Sequence, residues 1–102
     1  MHARVTQISV LPGKLGEFTE AVNSMLPAAQ QQAGFRGLLV LRGDQPASHD
    51  AQVISLWDSL EALRHSEKNL YFYQAISRVL SCSHGFPAIR EQQVLLIDFV
   101  QG

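Results

Sequence analysis

The chain has one cysteine, one tryptophan and no apolar run approaching the roughly eighteen residues of a membrane-spanning helix. Cys82 alone excludes an internal disulfide and fits a reducing compartment. Charge is scarce as well: eight Lys plus Arg against nine Asp plus Glu, scattered along the sequence, form no basic stripe to neutralise phosphates and no acidic tail. Neither nucleic acid nor a membrane is therefore an expected partner. The start, Met1-His2-Ala3-Arg4-Val5-Thr6-Gln7, carries no apolar stretch of the signal-peptide kind, and the chain reads as cytoplasmic. It also lacks a glycine-rich phosphate loop, a Gly-x-Ser-x-Gly nucleophile elbow and a His-Glu-x-x-His metal helix.

What remains is a 102-residue chain, read as one domain over residues 1–102, with enough length to hide about two thirds of its unfolded surface. From Ala3 to Leu11 polar and apolar residues alternate with β-branched enrichment until Pro12-Gly13, which predicts a half-buried strand. Leu15, Phe18, Val22, Met25, Leu26 and Ala29 recur at helical spacing toward Gly34, with Pro27 expected to kink or divide that helix. Phe35 to Arg42 and Gln52 to Trp57 read as a hairpin with a polar tip from Gly43 to Asp50. Ser59 is placed to cap a short helix, and a further helix from about Asn69 should turn Tyr73, Ile76 and Leu80 inward. A loop from Ser81 to Pro87 leads to a last strand, Glu91 to Val100.

This order, βαββαβ with the second helix broken, is that of an α+β ferredoxin-like fold. Its most informative landmarks are Gly34-Phe35-Arg36-Gly37 and, about twenty residues later, Trp57-Asp58-Ser59-Leu60-Glu61-Ala62-Leu63. In those segments, and in their order from Val5 to about Val100, the chain resembles the antibiotic biosynthesis monooxygenase-like domain of the dimeric α/β-barrel superfamily. The resemblance implies a four-stranded antiparallel sheet with the helices on one face. It also implies a dimer formed by packing sheet against sheet. The nearly continuous apolar runs Leu38 to Leu41, Val53 to Trp57 and Val94 to Val100 point the same way, because a sheet covered on one side only should alternate more cleanly.

Trp57 at a strand end can wall a pocket, stack on a flat ligand and offer an N–H, or it can simply fill the core. Relatives that resemble quinol-oxidising monooxygenases carry a histidine nine residues beyond this tryptophan; here that position is Ser66, with His65 one step earlier. One step on a helix is a turn of about 100 degrees, so His65 is either a displaced catalytic base or an ordinary surface histidine. The heme-degrading branch would place its key residues at Gln7, Ser66 and Ile76, none of the required type, and heme degradation is set aside. Phe72, with Tyr71 or Tyr73, could line an aromatic pocket or pack on the sheet; the two tyrosines point to different faces. Asp98, the odd polar residue of the last apolar run, either pairs with a cation such as Arg36 or Arg42 or lies near solvent. Cys82-Ser83-His84 does not make a zinc site.

Two functions follow from the resemblance. The first is a monooxygenase without metal, flavin or other cofactor that acts on a reduced aromatic of quinol or anthrone type. Its site would hold Trp57 and His65 as catalytic residues and Trp57, Ser66, Tyr73, Phe72 and Gln7 as substrate contacts. The second is a non-catalytic dimeric binding or structural module of the same fold, favoured by serine at position 66. Whether the space beside Trp57 is open separates them.

Overall fold

The computed structural model describes residues 1–45 and 48–99. Strand β1 (His2–Ser9), helix α1 (Leu15–Gln30), strands β2 (Phe35–Arg42) and β3 (Asp50–Trp57), helices α2 (Leu60–Ser66) and α3 (Leu70–Leu80) and strand β4 (Ala88–Gln93) succeed one another. The strands form one antiparallel sheet in the order β2-β3-β1-β4, the ferredoxin-like arrangement. Among the described residues no helix is long and apolar enough to cross a membrane.

Because strand side chains alternate, register decides which residues meet the helices. Opposite one another on the helix-covered face lie Arg4 and Ser55, Thr6 and Val53, Ile8 and Ala51. The lower part of that face is apolar: Ile8, Val10, Ala51 and Val53 close on Phe18 and Val22 of α1, Val79 of α3 and Cys82 just beyond it. Cys82 is thus a buried core thiol, while His84 next to it is exposed. The opposite face carries Val5, Leu39, Leu41, Ile54 and Leu56, partly exposed and apolar.

The two sequence landmarks meet. Gly34, at φ +83°, turns the chain into β2, and its carbonyl accepts the Asp58 N–H at 2.8 Å. A Cβ at Gly34 would stand 2.6 Å from the Ala62 Cβ, so glycine serves both the left-handed backbone and the close approach of α2. Phe35 lies edge-on to Trp57, ring centroids 5.3 Å apart.

Four boundaries differ from the sequence reading. Helix α1 ends at Gln30 rather than near Gly34, and Pro27 sits inside it without dividing it. Proline there removes the bond that its own nitrogen would have given to the Asn23 carbonyl, and the helix runs on to Gln30. In α3 the buried line is Tyr71, Ala75 and Val79, and Tyr73 faces out. The four-residue step from Tyr71 sets that phase. The last strand occupies Ala88–Gln93, ahead of the expected Glu91 start, because its ladder with β1 ends where the Val94 N–H meets the Met1 carbonyl at 3.0 Å. Residues 94–99 leave the sheet, with Leu95 and Leu96 about nine-tenths exposed and Asp98 near solvent. Arg36 pairs instead with Asp58. Val100, Pro46 and Ala47 lie outside the described residues.

A buried polar and aromatic cluster as candidate functional site

The upper end of the helix-covered face is built differently. Trp57 closes β3 there, 0 % exposed, and its Nε1 donates to the Ser55 hydroxyl at 2.9 Å. The indole N–H is therefore already engaged and the ring offers a wall rather than a donor.

Ser59 starts α2, its hydroxyl accepting the Ala62 N–H at 3.1 Å, with Glu61 in the first turn. That start sets the phase which buries Leu63 and Ser66, three residues apart on one face. The Ser66 hydroxyl donates to the Leu63 carbonyl at 2.7 Å and accepts from Arg4 Nη2 at 2.6 Å.

Arg4 is the centre of the cluster. It is 5 % exposed, its Nη2 also reaches the Leu63 carbonyl at 3.2 Å, and its Nε donates to Glu67 Oε1 at 3.1 Å. Its guanidinium carbon lies 4.6 Å from the centroid of the Phe72 ring and 5.4 Å from that of Trp57. A guanidinium is always charged, and a buried charge needs a partner, good hydrogen bonds and polarisable faces. Glu67, the C-terminal carbonyl and hydroxyl of α2, and the two rings supply them. A cation also suits the negative end of a helix.

At the rim Arg64 forks onto Glu91 from Nε at 2.8 Å and Nη2 at 3.2 Å. That hydrogen bond, opposed by partial desolvation and reinforced by the Arg64 charge, holds the Glu91 carboxyl below the usual carboxylate range and raises Arg64 in turn.

Of the residues singled out from sequence, the cluster contains Trp57, Ser66 and Phe72. His65, Tyr73 and Gln7 stand elsewhere. His65 is exposed in a shallow depression with Ala33, Ser59, Glu61 and Lys68, turned out of the interior because its neighbour Ser66 is turned in. Tyr73 is 62 % exposed on the outer side of α3. Gln7 has the parity of the opposite sheet face, beside Leu41 and Gln52. The other tyrosine, Tyr71, is buried against the α1–α3 groove, and its hydroxyl has no partner among the described residues.

Arg4 and Glu67 were not anticipated. The signal existed in the strand: Arg4, Thr6, Ile8 and Val10 share one parity, and the last two are strongly apolar. The site is closed. Trp57 and Leu63 are fully buried and Ser66 nearly so. Among the described residues no group of three His, Cys, Asp or Glu side chains could hold a metal ion.

Residues 1–78 match the model of a family described as antibiotic biosynthesis monooxygenase. None of the curated proteins compared matches the chain. Among solved structures, a Bordetella bronchiseptica protein described as a candidate antibiotic biosynthesis monooxygenase superposes with a TM-score of 0.81 at 19 % identity, over 93 % of this chain and 97 % of that one. SnoaB, a cofactor-independent oxygenase from Streptomyces nogalater, gives 0.80 at 17 % identity over 94 % of each. A Nitrosomonas europaea protein of unknown function gives 0.78 at 15 %, over 99 % of this chain and 95 % of that one. At these identities the likeness establishes the fold.

Proposed function

Since the chain belongs to the antibiotic biosynthesis monooxygenase family, we propose that it is a cofactor-independent monooxygenase acting on a reduced aromatic of quinol or anthrone type between sheet and helices. The observation that carries this reading is the buried polar and aromatic cluster around Trp57, at one end of a core that is otherwise apolar. An apolar pocket with a few convergent polar groups is the usual form of a small-molecule site. Without metal or flavin the electrons come from the substrate anion. Dioxygen accepts them, one oxygen atom joins the oxidised ring carbon, and the other leaves as water with the two hydrogens lost from the substrate. The protein's share is to bind the ring, exclude water and stabilise the anion. Trp57 supplies the wall; His65, on the outer surface, has no place in this site.

A second reading, a non-catalytic binding or structural module, is favoured by the closure of the interior over Trp57, Leu63 and Ser66. Oxygen uptake with a panel of quinols and anthrones separates the two. The enzyme reading expects turnover that falls at least tenfold in Trp57→Phe and is unchanged in His65→Ala. Absence of uptake with every substrate removes it, and equal rates in wild type and Trp57→Phe remove the site.

We further propose that residues 1–102 act as one domain, in the cytoplasm, as a homodimer packed sheet to sheet. The exposed Leu39 and Leu41, with Val5, Ile54 and Leu56 alongside and the apolar segment at residues 94–99, support the dimer. A strictly monomeric mass in sedimentation at micromolar concentration contradicts it.

A further inference from the structure

We infer that Arg4 receives the ionised oxygen of the aromatic ligand, and that Phe72 is a resident plug which the ligand's ring displaces. The ligand class rests on the reading above; the assignment of the two residues comes from their geometry.

The hydrogen bonds of Arg4 leave from Nε and Nη2, and among the described residues none leaves from Nη1. The side chain is only 5 % exposed, and Nη1, unlike the unpartnered His2 Nδ1 and Tyr71 hydroxyl, keeps a trace of contact with solvent. A fork with one open nitrogen, fixed by three bonds on its other side, is preorganised for an oxygen anion and loses little freedom when one arrives. The charged and titratable groups around it are few. Glu67 is bonded to Arg4; Glu91, across the β1–β4 ladder from it, is bonded to Arg64; His2 lies two residues along the same face. Both carboxylates already have arginine partners, so neither competes as a free anion.

The Phe72 ring centroid lies 4.6 Å from the guanidinium carbon of Arg4, where a planar ligand ring would also gain a cation–π contact. Unlike Trp57 it is only half-buried, at the rim of the cluster. It also belongs to the first turn of α3, whose N-cap residue Asn69 makes no side-chain capping bond and spends its amide on Gln32. An uncapped first turn opens more readily than a capped one. Swinging this ring outward would uncover the face of the Arg4 guanidinium that it lies against and open the cluster at its rim. The same motion reconciles a closed interior with a binding site.

The probe is 4-nitrophenol, whose ionised form is yellow, titrated optically in the presence of the full chain. Wild type should bind it with a lowered apparent pKa, equivalent to about a tenfold preference for the anion. Phe72→Ala should bind at least threefold more tightly with the same preference. Arg4→Gln should lose the preference, with the fold checked by circular dichroism; if that variant does not fold, Arg4→Lys serves, and should keep the charge but weaken anion binding several-fold. The inference is overturned if folded Arg4→Gln or Arg4→Lys binds the anion as wild type does, if Phe72→Ala binds less tightly, or if neither wild type nor Phe72→Ala binds the probe. Arg4-dependent anion binding without oxygen uptake supports the inference and sinks only the enzymatic reading. Uptake that ignores Arg4 does the reverse.

Discussion

The two ends of one sheet face are covered by different helices, α1 and α3 at the lower end and α2 with the first turn of α3 at the upper, and are packed by opposite means. At the lower end Ile8, Val10, Phe18, Val22, Ala51, Val53 and Val79 fill space with hydrocarbon and need no particular orientation. At the upper end Arg4, Ser55, Trp57, Ser66 and Glu67 are held by hydrogen bonds of fixed partner and direction. Removing volume should hurt the first end most, whereas the second should tolerate loss of volume and suffer loss of shape. A core without function would be expected to use hydrocarbon throughout, because buried ion pairs are commonly no better for stability than apolar side chains of equal size. The contrast therefore leaves the upper end with no evident gain in stability over hydrocarbon, in keeping with the site proposed for it.

The largest test of the contrast is Phe18→Ala, which empties the apolar end and should cost about 3–5 kcal/mol in chemical denaturation. Arg4→Met at the other end should cost less, about 2 kcal/mol or below, since Glu67 is partly exposed and can rehydrate while Ser66 keeps its bond to Leu63. Equal losses in the two variants would erase the distinction. Ser59→Ala should cost about 1 kcal/mol by uncapping α2, and amide exchange should quicken at Leu63 and Ser66 but not at Val22. The smallest effect belongs to Glu91. Its carboxyl is held below the ordinary range in the folded chain, so the Arg64 pair contributes above the unfolded carboxylate pKa and is lost as pH falls through the lower folded value. The pair is exposed, and the difference in Tm between wild type and Glu91→Gln should be slight at neutral pH, vanish in acid and shrink with salt.

Much of the architecture was legible in the residues. The alternation of β1, the hairpin and the Ser59 cap depend on local chemistry, and all are present. Less legible were features decided by distant partners. The end of β4 depends on where β1 begins, which its own apolar run does not reveal. The phase of α3 is set by how Tyr71, Ala75 and Val79 meet α1 and the sheet, not by the aromatic density around Tyr73. Of the cluster's residues, Trp57 and Ser66 were singled out by motif spacing and Phe72 by the aromatic density around it, while Arg4 was passed over because a charged residue near the start of a strand reads as solvent-facing. Its inward parity becomes visible only once Ile8 and Val10 fix which face of β1 is inside.

Beyond Val94 the chain carries Leu95, Leu96 and Phe99 into water with no strand beside them. Hydrocarbon left uncovered in this way ties the energetics of folding to how many copies are present. If those side chains find their cover on a second molecule, Tm rises with protein concentration by mass action, and dilution becomes a mild denaturant. In an uncovered monomer the same segment is exposed apolar surface open to aggregation.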